Sequence, residues 1–193
     1  DASNEPEDEA PPMEMVTSSD VKDSGTVSGI KWTLTHEGVL TISGTGYIPI
    51  LGINDAWLQY PEKIVSIIIK KGVTGIGINA FYKCNKLTEI TIPDSVTSID
   101  SFAFAGCINL TEVTIPDGVT YIGAGAFAGC TNLTDISIPK SVTIIGRHTF
   151  YKCTSLTEVI IPSSVTTIRS FAFAECEKLS EVTIPDDVTY IGE

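Results

Sequence analysis

Positive charge is scarce in this 193-residue chain: 12 lysines and arginines stand against 24 aspartates and glutamates, for a net charge of −12. No basic patch is evident that could neutralise phosphates, which argues against a nucleic-acid partner. Long hydrophobic runs are missing as well, and no apolar stretch reaches the roughly 20 residues that a membrane-spanning helix needs. Histidine is limited to His36 and His148. Neither has a Ser or Cys uniquely set beside it, so no nucleophile has a base in reach. The phosphate loop G-x-x-x-x-G-K-[ST], the zinc motif H-E-x-x-H and the elbow G-x-S-x-G are all absent. Gly44-Thr45-Gly46 is a turn signal, too short to cradle a phosphate. No C-x-x-C pair offers clustered metal ligands, and five evenly spaced cysteines do not make a disulfide framework. Catalysis, a cofactor and a metal site are therefore not expected.

What the chain does have is a ruler. Cys84, Cys107, Cys130, Cys153 and Cys176 are each 23 residues apart, and Ile-Pro pairs at 92, 115, 138, 161 and 184 keep the same beat. A fixed period of that size marks stacked supersecondary units, so a solenoid is expected. Solenoids present a long repeated surface, which favours binding over chemistry in a pocket.

The acidity is unevenly placed. Residues 1–24 hold eight acids and one lysine, a charge of −7, which leaves −5 for the remainder. Rich in Asp, Glu, Pro and Ser and without hydrophobic periodicity, residues 1–24 read as a disordered acidic tether, with Met15 and Val16 the only hint of a docking strand. Residues 25–63 do not fit the repeat. Ile30–Leu34 and Val39–Ile42 alternate around the turn at His36-Glu37-Gly38 and predict a β-hairpin. The stretch from Asp55 to Pro61 predicts a short turn or helical piece. An open solenoid end exposes apolar surface and a strand edge, so this segment, with both tryptophans, Trp32 and Trp57, is expected to be an N-terminal cap.

Residues 64–193 form the array, with the last repeat incomplete. In the copy at 107–129, Leu110, Val113 and Ile115 have the L-x-x-L-x-L spacing of a repeat strand. Val113 and Ile115 should point inward and Glu112 and Thr114 outward, with Pro116 ending the pairing. Val119 and Ile122 predict a second extended piece on the opposite wall. Ala126-Phe127 predicts a brief helical turn. Stacked Phe81, Phe104, Phe127, Phe150 and Phe173 should make an aromatic spine, and the cysteines a buried column. The fold class expected is an α/β-type, strand-rich solenoid: a right-handed leucine-rich-repeat superhelix with a parallel β-sheet on one face and a β-hairpin cap.

The string C-x-x-L-[ST]-x-[IV]-x-I-P-x-x-V-T-x-I-x-x-x-[AT]-F resembles the BspA-like leucine-rich repeat family of bacterial surface proteins, across residues 64–193. Trp32–Thr35 and Gly38–Gly46 are similar to the cap that often precedes such repeats. The resemblance implies a cell-surface or secreted protein of adhesion or recognition, with a protein ligand such as a host or matrix protein, and no enzyme. The chain opens on Asp1-Ala2-Ser3-Asn4 without a leader. A secreted protein after signal removal begins this way, and so does a fragment of a cytosolic one. The array stops at Glu193 within a unit, as expected of a fragment of a longer protein or of an end covered by another subunit.

Stacking turns each repeat position into a column. One outward column holds Glu89, Glu112, Asp135, Glu158 and Glu181; the next holds Thr91, Thr114, Ser137, Ile160 and Thr183. Thr88, Thr111, Thr134, Thr157 and Ser180 flank them at the strand entrance. Like charges about 5 Å apart, near the spacing of neighbouring strands, repel by roughly 0.8 kcal/mol in bulk water. A basic or polar partner explains the ladder, as does loose collection of divalent cations. Duplication of one tolerated, solubilising acid explains it too. These ten outward residues are the candidate partner-binding face. The alternatives are a carbohydrate-binding module, which the lack of aromatic platforms on this face disfavours, and a structural spacer without a ligand. Lys83, Lys86, Lys152 and Lys178 beside the cysteines, and Lys70, Lys71, Lys140, Arg147 and Arg169 in other loops, form no single column and read as solvated turn charges.

Overall fold

The computed structural model describes residues 20–52 and 55–193. Fourteen strands follow in chain order: β1 (Val21–Val27), β2 (Ile30–Thr35), β3 (Val39–Ser43), β4 (Gly46–Tyr47), then, after a single 3-10 helix (Ala56–Gln59), β5 (Ser66–Ile69), β6 (Val73–Ile76), β7 (Glu89–Thr91), β8 (Ser98–Ile99), β9 (Tyr121–Ile122), β10 (Asp135–Ser137), β11 (Ile144–Ile145), β12 (Glu158–Ile160), β13 (Thr167–Ile168) and β14 (Tyr190–Ile191). The fold is a strand-rich solenoid with parallel sheets on two walls. The first wall carries β3, β5 and β7 in one sheet and β10 and β12 in another; the second carries β4, β6, β8 and β9, then β11, β13 and β14. Pairing joins residues one repeat apart, as in Asp135 with Glu158 and Ser98 with Tyr121.

Each turn fills the interior with the same residue types. Leu110, Val113, Ile115, Val119, Ile122, Ala126, Phe127 and Cys130 of one turn are all buried, and they belong to one core continuous from the cap into the array. The phenyl rings stack at 5.3 Å between Phe81 and Phe104 and between Phe104 and Phe127, at 5.8 Å to Phe150 and at 5.4 Å to Phe173. Trp57 starts the spine 6.0 Å from Phe81, with its indole N–H donating to the Ala80 carbonyl at 2.7 Å, and Trp32 meets it edge-on. An indole is buried at little cost only when its N–H finds an acceptor, and this one does.

The thiols lie in the same interior. Cys107, Cys130, Cys153 and Cys176 each donate to the carbonyl of a spine phenylalanine, as Cys107 does to Phe81 at 3.2 Å and Cys176 to Phe150 at 3.1 Å. Loss of solvation pushes the Cys84 and Cys130 thiols up to about 12, and the other three also rise. Thiolate, the reactive form, is therefore suppressed.

Several expectations need correction. The tether read over residues 1–24 ends too late: β1 starts at Val21 and pairs antiparallel with β2, so the hairpin is three-stranded. Met15 and Val16 lie outside the described residues. The cap is also a partial repeat, because β3 runs parallel to β5 and β4 parallel to β6. Its turn is longer than the array's, with Leu40 opposite Ile67, which hides it from a search at period 23. No helix forms at Ala126-Phe127; a run of turns carries that segment. There Phe104 donates its N–H to Ala126 and Phe127 to Thr149, so this side of the coil is knitted turn to turn as well. Residues 112–114, in the copy with the clearest sequence pattern, form no ladder, although Val113 and Ile115 are buried as expected. Beyond β5, the first-wall strands of the array are only three residues long and a proline without an N–H closes each unit, so pairing there is marginal.

Candidate functional site

All ten residues of the expected binding face are exposed: Glu89, Thr91, Glu112, Thr114, Asp135, Ser137, Glu158, Ile160, Glu181 and Thr183. Their inward neighbours Ile90, Val113, Ile136 and Val159 are buried, so the alternation of a pleated strand aims the two columns at solvent. None of the five acids pairs with a cation, since Lys152–Glu175 is the one ion pair among the described residues. The hydroxyls of Thr91, Thr114, Ser137 and Thr183 are likewise without a side-chain partner there.

The third column proves different in kind. Thr88, Thr134 and Thr157 donate their hydroxyls to the carbonyls of Val65, Thr111 and Thr134, at 3.1 to 3.2 Å. These threonines bind turn to turn, which uses their one donor hydrogen and leaves only acceptor lone pairs for a ligand. Thr97, Thr120, Thr166 and Thr189 do the same on the other edge. The recurrent V-T and L-T pairs thus have a structural reason that spacing alone does not reveal.

Ile160 interrupts the polar columns. Its side chain is 65% exposed, equal to the most exposed large apolar residue in the described structure. Two shallow depressions meet at it. One, of about 390 Å³, is lined by Glu158, Val159, Ile160, Ile161, Glu181 and Thr183. The other, of about 330 Å³, is lined by Asp135, Ile136, Ser137, Thr157, Glu158 and Ile160. The site is an apolar point ringed by carboxylates on a flat wall. That arrangement suits contact with an extended, partly basic surface and lacks the enclosed cavity of a small-molecule site.

His36 is exposed in the turn between β2 and β3. His148 stacks on Phe171 at 5.2 Å and meets Tyr151 edge-on. Among the described residues no group of three or more His, Cys, Asp or Glu side chains gathers for a metal ion, and no helix is long and apolar enough to cross a membrane.

Comparison with known proteins agrees with this geometry. A family model for the BspA type leucine rich repeat region matches in six copies, over residues 52–146 and 74–193. Among solved structures, a leucine-rich repeat protein from Eubacterium ventriosum is 32% identical over 83% of this chain and 43% of its own, with a TM-score of 0.70. A leucine rich cell surface protein from Faecalibacterium prausnitzii is 33% identical over 90% of this chain and 52% of its own, with a TM-score of 0.67. The leucine rich repeat protein of T. pallidum shares the fold at 24% identity and a TM-score of 0.71, over 88% of this chain and 86% of that one. The chain thus spans about half the length of the first two. No curated protein matches it. The leucine-rich repeat family is a non-enzymatic scaffold type, and its solenoid fold is consistent with a protein-interaction module. With the family model spanning residues 52–193 and two solved relatives above 30% identity, this chain belongs to the BspA-type leucine-rich repeat family.

Proposed function

We propose that this chain is a secreted or cell-surface adhesion module that binds a protein ligand through its first wall. The observation that carries the reading is the exposed Ile160 set among Asp135, Glu158 and Glu181. An apolar anchor inside a charged rim is the usual anatomy of a protein contact. Unpaired acids select a partner with a basic surface and speed its approach. The Faecalibacterium relative is a cell surface protein, and that supports the same location for this chain.

The test is a binding panel of purified extracellular matrix proteins run beside a glycan array. At least one protein should bind, more weakly as salt rises. The triple variant Glu112→Gln, Asp135→Gln, Glu158→Gln should keep its melting temperature and lose that binding. Ile160→Ser should weaken it about tenfold or more, as loss of an anchor does. Binding unchanged in both variants would overturn the proposal.

A further inference from the structure

The second wall holds a feature that the family match does not address. Arg147 and Arg169 are the only arginines in the chain, and they come together. Both line a groove of about 370 Å³ with Thr167, Ser170 and Tyr190. Both also line an adjoining one of about 300 Å³ with Tyr121 and Ile144. Neither has a carboxylate partner among the described residues, in a protein with twice as many acids as bases. Glu193 stands in the column of Arg147 and Ser170, and it pairs with neither arginine.

Arg147 is also held in place. Its guanidinium lies 5.8 Å over the Phe171 ring, which stacks flat on His148. A cation fixed over a ring gives up less freedom when it takes a second partner. Arg169 occupies a column whose neighbours are Gly146 and Gly192, and it is exposed. The hydroxyls of Thr167 and Ser170 have no side-chain partner among the described residues.

We propose that this groove binds an acidic polysaccharide, with the two guanidinium groups on uronate carboxylates and Tyr121 and Tyr190 beneath sugar rings. Arginine matches a carboxylate in a bidentate fork. Tyr121 and Tyr190 point outward in one column, 52% and 55% exposed, three turns apart. At strand spacing that is roughly 14 Å of flat wall. An aromatic face with a wet hydroxyl tip suits the C–H face of a sugar. An acidic peptide fits less well. The groove has no deep apolar pocket for an anchoring side chain, and β13 beneath it pairs with both β11 and β14, which leaves β13 no free edge to extend. The site is separate from the acidic first wall, so it stands or falls apart from the protein-binding reading.

The experiment is affinity electrophoresis and titration calorimetry with four polymers: polygalacturonate, its methyl ester, a neutral glucan and polyglutamate. Polygalacturonate should bind and release with salt, while the ester and the glucan should not. Arg147→Gln and Arg169→Gln should each weaken binding about tenfold or more, as loss of a charged hydrogen bond does. Tyr121→Ala should weaken it too, and the first-wall triple variant should leave it intact. A melting curve for each variant confirms the fold. Equal binding of polygalacturonate and neutral glucan would overturn the proposal. So would equal binding of polyglutamate with no effect of Tyr121→Ala, which would make the groove a general anion site open to acidic peptides.

Discussion

On the first wall the outward residue beside the buried strand position is Glu89, Glu112, Asp135, Glu158 or Glu181; on the second wall it is Ser98, Tyr121, Ile144, Thr167 or Tyr190. Both walls were copied together when the repeat multiplied. Behind both, the buried columns repeat almost without change, because an interior at crystal-like density leaves little room for a different volume. Packing does not reach the outward columns, and the second wall shows how far such a column drifts when nothing holds it. The first wall had the same freedom and, after Ser66 in its first array turn, kept an acid in five successive turns. Duplication alone therefore explains the acids less well than it seems to from the sequence. A repeated outward residue suggests a repeated contact, and single departures such as Ile160 and Arg147 mark particular ones.

The largest effect should separate inside from outside. Phe127 is fully buried between Phe104 and Phe150. Phe127→Ala should cost about 3–5 kcal/mol, whereas Tyr121→Ala on the second wall should shift stability by about 0.5 kcal/mol or less. Urea midpoints measure both. A large loss at Tyr121 would mean that the outward columns carry packing after all, and the contrast between the walls would lose its basis.

The next effect is in pH. The Cys84 and Cys130 thiols rise from near 9 to about 12 through burial. A raised pKa means that the folded state keeps protons that the unfolded state gives up. Their contribution to stability is thus fully present below about pH 9 and is lost as pH climbs from there toward 12. The slope is on the order of 1 kcal/mol per pH unit for each thiol. Urea midpoints at pH 8 and pH 10.5 should show the fall, and the variant Cys84→Ala, Cys130→Ala should show a shallower one. Rapid labelling of the native thiols at pH 8 would break the claim that this column is interior.

What was legible in the sequence follows the same division. The period, the spine, the cysteine column and the outward acids could all be read because packing repeats them. The cap's own turn could not, because its different length takes Leu40 and Ile67 off the 23-residue beat. β1 was lost in the acidic composition around it, since Val21 and Val27 give little hydrophobic signal beside Lys22, Asp23 and Ser24. That threonine hydroxyls bridge the turns could not be read either, because spacing fixes direction but not hydrogen-bond partners. Arg147 and Arg169 looked like scattered turn charges: they are 22 residues apart, not 23, and so occupy different columns that meet only at a corner.

The smallest effect concerns the bends, where backbone repeats and side chain does not. Asn79, Phe102, Gly125, His148 and Phe171 all hold φ between 57° and 62°, and so, within a few tens of degrees, do Lys83, Gly106, Gly129, Lys152 and Glu175. A side chain in this region costs about 1 kcal/mol or more, yet only three of these ten residues are glycine. Hydrogen bonds to the following turn, such as Phe102 to Ala124 and Lys83 to Ala105, hold the conformation whatever residue is present. Gly129→Ala should therefore cost about 1 kcal/mol through φ alone, since the nearest atoms to an added Cβ are 3.7 Å away. Lys83→Gly should gain about 0.5 kcal/mol, because relief of strain is partly offset by the freer unfolded chain. A loss at Lys83 would show that its side chain, and not only its backbone, is part of the bend, and would place the third side of the coil with the contact-bearing walls.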